Sequence, residues 1–269
     1  MTIAFIYYWD QASSILPNWR DGLRAAIEEI EKDHTVTWFL DKKLPKDEFD
    51  AYLFWGDSNC EAIQKLASYK GKKGLCLSTN PTNVDNIRFL DAVFCESTPV
   101  YEEAKRAGIR AFKAFGTDTN FFRPSHNIRN RSIPYFYPAT FSPWKRQSTI
   151  AHLGKKLTCV GTVQPDGIYE LEECQKNDVN VEIGYFPVEK IKEYYDHSEH
   201  VIIPAIHGSE RTVLEAMSMN LLPKVNLDNQ KAHSYIDEYL KSGEVSPREF
   251  VIKNYSAAKY AETILKGLS

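Results

Sequence analysis

Residues 201–217 place a strand, a glycine-containing turn and a helix start in direct succession. The apolar run Val201–Pro204 is typical of a buried strand, and the turn at 207–209 precedes a helical pattern that begins near Arg211. The first amides of a helix are unpaired and lie at the positive end of its dipole, so this turn could bind a diphosphate. Glu215, one turn further along, could accept hydrogen bonds from two adjacent ribose hydroxyls. The segment therefore predicts a nucleotide-binding site.

This segment resembles the donor-binding motif of retaining GT-B glycosyltransferases, in the glycogen-synthase-like group 1 (family 4) superfamily. The family has Glu-Gly-Phe-Gly, four residues and Glu-Ala-Met, whereas this chain has His-Gly-Ser-Glu at 207–210, four residues and Glu-Ala-Met at 215–217. The resemblance implies that Glu215 binds the ribose, and that His207 stands where a glutamate contacts the donor sugar. An imidazole cannot offer the two acceptor oxygens of a carboxylate. His207 therefore indicates either an unusual donor, such as a pentose or deoxysugar, or lost activity.

A second segment, residues 140–147, resembles the family's Arg-Phe-Ser-Pro-Glu-Lys-Arg sequence, whose arginine and lysine bind the donor diphosphate. Here Lys145 occupies the lysine position and Thr140 stands where the arginine belongs, so that Arg146 or Arg211 would have to compensate. Lys145 and the amides of the helix start would stabilise negative charge on the leaving diphosphate. The resemblance implies retention of the anomeric configuration.

Two more segments extend the resemblance in chain order. The strand-turn-helix around Tyr185 and Phe186 resembles the one that cradles the nucleobase, and residues 116–124 resemble the interdomain segment. The correspondence covers roughly residues 90–225, and the helix at 19–23 resembles the CgeB-like branch. The predicted donor site comprises Thr140, Ser142, Lys145, Tyr185, Phe186, His207, Gly208, Ser209, Glu210, Arg211, Thr212 and Glu215.

In the first half of the chain, polar residues follow the predicted strands: Asp10, Asp57, Asn80 and Glu96. In open α/β sheets, ligands bind beyond the carboxyl ends of the strands, so together these residues mark a face for an acceptor. Each one alone is better explained as a cap or turn residue. Lys145, His207 and Asp10 are the predicted catalytic residues. Either Asp10 or Asp57 could act as the general base, which leaves inversion open beside retention.

Missing motifs exclude several other enzyme classes. Residues 8–14, after the first strand, lack the GxGxxG of dinucleotide-binding dehydrogenases, and the chain has neither a GxxxxGK[ST] phosphate loop nor a GxSxG elbow. The five dispersed cysteines show no CxxC spacing, which favours reduced thiols over disulfides or zinc. Because no Asp-x-Asp motif is present, we expect no metal and no cofactor besides a nucleoside-diphosphate sugar as co-substrate.

Short apolar strands alternate with helical patterns, which is typical of parallel sheets built from βαβ units. We expect an α/β protein of the GT-B class, with two Rossmann-like, doubly wound parallel-sheet domains facing a central cleft. Residues 1–125 would form the acceptor-side domain and residues 126–255 the nucleotide-sugar-binding domain, with 256–269 packing back on the first. Helices are expected near Asn18–Lys32, Cys60–Tyr69, Pro99–Ala107, Val188–Tyr195, Arg211–Met219 and Ala257–Lys266, and from about Lys145.

The composition predicts a soluble, cytoplasmic protein without integral membrane association. The formal net charge is −3, and the apolar start reaches Asp10 too soon for a signal peptide. No apolar run approaches the roughly 20 residues of a membrane span. A basic cluster near the interdomain segment could follow the phosphates of DNA, although such clusters are more often solvated. It comprises Arg123, Arg129, Arg131, Lys145 and Arg146.

The preferred interpretation is a hexosyl- or pentosyltransferase that moves a sugar from a nucleoside diphosphate to an acceptor hydroxyl without a metal. The acceptor would be a glycan, a protein or a hydroxymethylated DNA base. Two alternatives remain: a non-catalytic nucleotide-sugar sensor, which the His207 and Thr140 departures favour, and a nucleotide-sugar 2-epimerase of related fold.

Overall fold

The computed structural model describes the chain except for residues 11, 16–19, 78–80 and 126–130. The predicted site residue Asn80, Arg129 of the basic cluster and Trp19 of the helix at 19–23 therefore lie outside the described residues. Internal contacts divide the chain into two units, unit 1 with residues 1–118 and 254–269 and unit 2 with residues 119–253.

Within the described residues, unit 1 contains a six-stranded parallel sheet in the order β2-β1-β3-β4-β5-β6. The chain order reverses at β1, since β2 lies on one side of it and β3 on the other. Its strands are β1 (Thr2–Tyr7), β2 (Thr35–Phe39), β3 (Ala51–Gly56), β4 (Lys72–Leu77), β5 (Ala92–Cys95) and β6 (Ala111–Lys113).

Helices cover both faces of this sheet, which explains why its central strands are apolar at nearly every position. Ile3 and Phe5 point to the face covered by α2 (Gly22–Ile30), together with the C-terminal helix of the chain. Ala4 and Ile6 point to the opposite face, where they pack with α3 (Glu61–Lys65) and α4 (Thr98–Arg106). A short helix, α1 (Ala12–Ile15), lies between β1 and α2 in the chain.

Unit 2 contains, in its described part, a five-stranded parallel sheet in the order β11-β10-β7-β8-β9. Its strands are β7 (Ile133–Pro138), β8 (Leu157–Gly161), β9 (Asn180–Ile183), β10 (Ser198–Ile203) and β11 (Lys224–Val225). Its helices are α5 (Ile168–Lys176), α6 (Val188–His197), α7 (Glu210–Ser218), α8 (Gln230–Ser242) and α9 (Pro247–Tyr255), and the chain ends with α10 (Ala257–Leu268), which packs on α2 and β4. The two parallel sheets flanked by helices confirm the expected α/β class.

Two expected helices differ in the structure. The helix expected near Asn18–Lys32 begins at Gly22, because the Asp21 side chain accepts a hydrogen bond from the Arg24 amide and caps it there. The helix expected from about Lys145 is a 3₁₀ segment, Gln147–Lys156, which follows Arg146 in a left-handed conformation (φ 55°) and is broken at Gly154.

The sequence pattern did not predict α1, α5, α8 and α9. For α8 and α9, the sequence does contain residues that typically begin or end a helix. Asn229 caps the start of α8 by accepting a hydrogen bond from the Ala232 amide, and Gly243 (φ 74°) ends that helix. Pro247 occupies the first position of α9, where a missing amide proton costs nothing.

Candidate functional site

The order of the unit 2 sheet predicts where a ligand binds in it. β7 and β10 are neighbours, while the next strands in sequence, β8 and β11, extend the sheet in opposite directions. The loops that leave β7 and β10 therefore diverge, and the crevice between them is the usual ligand site of such sheets. The Ile206 amide in one loop donates to the Trp144 carbonyl in the other (3.0 Å). This contact joins the two segments that the sequence analysis assigned to the diphosphate.

Lys145 connects these loops through its side chain. Its Nζ donates to the Ser209 Oγ (2.9 Å) and to the His207 carbonyl (3.3 Å). Burial lowers the pKa of the Lys145 ammonium, and the Glu210 carboxylate partly opposes that shift. A cation thus lies against the turn that precedes α7, where its charge is incompletely solvated and an anion would stabilise it.

The backbone of the turn lets the Lys145 side chain approach it closely. Gly208 (φ 72°) and Ser209 (φ 75°) are both left-handed, and α7 begins at the next residue. The Ser209 side chain does not cap the helix, since its hydroxyl is hydrogen-bonded to Lys145. A Cβ atom added to Gly208 would lie 2.8 Å from the Lys145 Nζ. From the other side, the buried Asn229 donates to the Gly208 carbonyl (2.8 Å).

Glu215 is buried, with 6% of its surface exposed, and each of its carboxylate oxygens has a partner in the protein. The Tyr195 hydroxyl donates to Oε2 (3.1 Å), and the Arg211 Nε lies 3.3 Å from Oε1. Burial and the Glu215 charge raise the pKa of Tyr195 far above its usual range, so this hydroxyl stays protonated and remains a donor. Arg211 is half-exposed, so of the two partners of Glu215 it is the more accessible to solvent. Glu210 and Thr212, on the first turn, are also buried.

The residues around Thr140 are held by neutral hydrogen bonds. The Thr140 hydroxyl pairs with that of Thr162 (3.0 Å), and its carbonyl accepts from the Gln147 side chain (3.0 Å). Ser142 is buried, and its carbonyl accepts from the Lys145 amide (2.9 Å). This loop therefore positions Lys145 through its backbone.

Tyr185 and Phe186 follow β9, which β8 separates from β7. Tyr185 is 84% exposed, while the Lys190 Nζ lies 4.6 Å from the centre of the Phe186 ring. The Lys190 Nζ also donates to Glu182 (2.6 Å), which raises the pKa of the lysine and lowers that of the carboxyl. Lys190 thus lies against the Phe186 ring, and the structure does not place either ring in contact with Lys145.

The acceptor-side residues of unit 1 are only partly brought together. Asp10 follows β1 and pairs with the Lys42 Nζ (2.5 Å), while Asp57 follows the neighbouring strand β3. The Asp57 carboxylate accepts from the Asn59 amide (2.7 Å), which is the turn role that aspartate often has. Glu96 follows β5, two strands from β3, and is half-buried.

Three residues that support the site were not among the predicted ones. Tyr195 holds Glu215, Asn229 holds the Gly208 carbonyl, and the Tyr137 hydroxyl donates to the Lys145 carbonyl (3.3 Å). Only Asn229 has a recognisable sequence signal, as an N-cap before α8. Tyr137 and Tyr195 are fully buried, and apolar patterning alone gives no indication of where their hydroxyls lie.

Among the described residues, no group of three or more His, Cys, Asp and Glu side chains is arranged to bind a metal ion. In the same part of the chain, no helix is long and apolar enough to cross a membrane.

Solved structures match the chain over its whole length, although no family model and no curated protein sequence matches it. The Anabaena protein HepE, in complex with UDP and glucose, matches with a TM-score of 0.66 at 12% identity, covering 100% of this chain and 99% of that one. AviGT4, a glycosyltransferase involved in avilamycin A biosynthesis, gives 0.64 at 11%, covering 100% and 97%. The E. coli trehalose-6-phosphate structure bound with UDP-2-fluoro glucose gives 0.69 at 8%, covering 100% and 99%. The chain therefore has the GT-B fold, as the motifs predicted.

Proposed function

We propose that the chain is a glycosyltransferase that binds a nucleoside-diphosphate sugar at the crevice between the loops after β7 and β10. One observation carries this proposal: the Lys145 ammonium is hydrogen-bonded to the turn that begins α7. A diphosphate at that point would meet a cation and the amides of a helix start together. The fold supports the same interpretation, because similar structures are described as bound with UDP or a UDP-sugar.

The donor would replace contacts that the protein now makes with itself. A ribose whose hydroxyls donate to the Glu215 carboxylate would compete with Arg211 for Oε1, while Tyr195 continues to hold Oε2. Arg211 is half-exposed, and on donor binding its side chain would turn toward the diphosphate. It would then supply the positive charge that Thr140 does not, which favours Arg211 over Arg146 as the compensating cation.

The catalytic contribution of these residues would be electrostatic. Lys145 and the amides at the start of α7 would stabilise the charge that develops on the departing diphosphate, in a site that is already organised before reaction. His207, whose carbonyl accepts from Lys145, would place its imidazole beside the donor sugar. Retention would follow from the family resemblance and metal independence from the absence of an Asp-x-Asp motif, and the transferred sugar would be a hexose or a pentose.

The test is calorimetric titration of UDP and UDP-glucose into the protein, followed by assays for transfer and for slow donor hydrolysis. We expect binding of both ligands and turnover of the sugar. Binding without transfer or hydrolysis would instead identify a sensor, and conversion of the donor sugar without acceptor would identify an epimerase. If the protein binds neither UDP nor UDP-glucose, and binds no GDP-sugar or ADP-sugar instead, the proposed site is contradicted.

A further inference from the structure

Three aromatic rings form a stack where the strand order of unit 1 reverses. Tyr7 and Trp55 are the last residue pair in the register of β1 and β3. Their ring centres lie 4.4 Å apart with planes 6° from parallel, and Trp9 lies on Trp55 at 6.0 Å and 12°. We call Tyr7, Trp55 and Trp9 the aromatic stack. It lies at the carboxyl ends of two adjacent strands whose following strands, β2 and β4, lie on opposite sides of the pair, which is the ligand position in such sheets.

The stack runs from the core to the surface. Tyr7 is buried, Trp55 packs partly against the same core, and Trp9 is 50% exposed. The Trp9 amide donates to the Tyr7 carbonyl (3.0 Å), so the backbone that carries the outer ring is fixed. An indole anchored in this way presents apolar surface to solvent at little further cost in side-chain entropy, which is typical of a binding residue.

Carboxylates follow both strands beside the stack. Asp10 is next to Trp9 in the chain, and Asp57 is two residues after Trp55. Asp10 is held by Lys42, which lies in a loop where two consecutive non-glycine residues, Asp41 (φ 55°) and Lys42 (φ 57°), are left-handed. Such a backbone is strained in non-glycine residues, and strain of this kind is characteristic of functional loops. The Asp41 carboxylate accepts from the Ser13 amide (2.9 Å), which holds the loop in place.

These groups match the chemistry of a neutral sugar ring. The face of an aromatic ring is electron-rich, so it attracts the C–H face of a pyranose, and neighbouring carboxylates accept hydrogen bonds from its hydroxyls. The same carboxylates would repel the phosphates of a nucleic acid. We propose that the aromatic stack binds a neutral pyranose ring and that the acceptor of the proposed transferase is therefore a glycan. That the bound sugar is an acceptor rests on the proposed function, whereas sugar binding by the stack does not.

The experiment uses the intact chain and three neutral probes, maltotriose, cellotriose and chitotriose, with binding followed by saturation-transfer NMR of the sugar protons. We expect at least one probe to bind, and Trp9→Ala to weaken it about tenfold through loss of stacked apolar area. Trp9→Phe keeps a ring and should retain most of the affinity. Tyr169→Ala removes an exposed ring in unit 2 and should change nothing. Thermal unfolding of each variant verifies that the fold is intact.

Two kinds of result would overturn this proposal. The first is that none of the three sugars binds, or that Trp9→Ala binds them as tightly as the wild type does. The second is that a single-stranded oligonucleotide binds instead of the sugars, and that Trp9→Ala weakens its binding. A UDP titration of the same samples separates the two proposals. If sugar binds the stack but UDP does not bind, the proposed function fails while the stack assignment stands. If UDP binds equally to wild type and Trp9→Ala but no sugar binds, only the stack assignment fails.

Discussion

The two units each have a reversal of strand order, but the residues at the two reversals differ in chemistry. At β7 and β10 of unit 2 the charged side chains are hydrogen-bonded within the unit, with Lys145 against the α7 turn and the buried Glu215 held by Tyr195. At β1 and β3 of unit 1 the surface is aromatic and exposed at Trp9. Topology thus determines where a ligand binds, and the loop residues determine which part of a ligand each position recognises. The charged position suits a diphosphate, and the aromatic one a neutral ring.

The largest effect is expected from Lys145→Ala. Loss of a charge-assisted contact to the diphosphate should weaken UDP binding on the order of 100-fold, since hydrogen bonds to charged groups are worth about 1.5–3 kcal/mol each. Sugar binding at the aromatic stack should not change. Lys176→Ala is the matched control, because that lysine is an exposed residue of unit 2. Calorimetry of UDP with both variants makes the measurement, and equal affinities would show that the charged position does not bind the diphosphate.

Glu215→Gln should lower UDP affinity roughly tenfold by removing the carboxylate charge while keeping the volume of the side chain. Tyr195→Phe provides the sharper comparison. It removes the hydroxyl that donates to the Glu215 Oε2 but leaves the Glu215 charge in place. It should therefore reduce stability by about 1 kcal/mol and lower UDP affinity less than Glu215→Gln does. Urea unfolding and calorimetry together distinguish the two effects. A larger loss of affinity in Tyr195→Phe would indicate that the hydroxyl, and not the carboxylate, contacts the donor.

Gly208→Ala tests whether the position of Lys145 matters. The added Cβ would lie 2.8 Å from the Lys145 Nζ and displace it, so we expect a several-fold loss of UDP affinity beyond the backbone cost of about 1 kcal/mol in stability. Gly243→Ala has almost the same backbone angle (φ 74°), and nothing lies within 4 Å of its added Cβ. It should therefore lose similar stability and no affinity. If both variants bind UDP as the wild type does, the turn at 207–209 does not shape the site.

The smallest expected effect is a proton uptake when UDP binds at a pH near the lowered pKa of Lys145. Burial lowers the pKa of Lys145 in the free protein, and a nearby diphosphate would raise it again. UDP affinity should therefore fall as the pH rises through the lowered pKa. Titrations in two buffers of different ionisation enthalpy measure the uptake, which should vanish in Lys145→Ala.

The folded protein has the lower pKa, so Lys145 should favour folding increasingly as pH rises toward the pKa of an unperturbed lysine.

Much of the fold was predictable, because buried parallel strands and the polar residues that follow them leave a clear pattern in the sequence. The α7 segment was predictable to within one residue at each end, since a glycine-containing turn separates it from β10. The 3₁₀ segment after Lys145 was not, because its departure from a helix depends on the left-handed Arg146 and on Gly154.

The candidate site was predictable only in part. The motifs identified Lys145 and the turn at 207–209, and the sheet order explains why segments distant in sequence meet. The burial of Glu215 against Tyr195 depends on how α6 packs beside α7, which residue types alone do not specify. The aromatic stack was missed for a similar reason. Its rings meet only because Tyr7 and Trp55 are paired in the register of two strands that are not consecutive in the chain.

A crystal structure of the protein with UDP tests the central claim most directly. The account predicts diphosphate oxygens within hydrogen-bonding distance of the Lys145 Nζ and of the amides at the start of α7, with the ribose hydroxyls on Glu215 and Arg211 turned away from it. UDP bound elsewhere, with the contacts of Lys145 to the turn at 207–209 unchanged, would contradict the account.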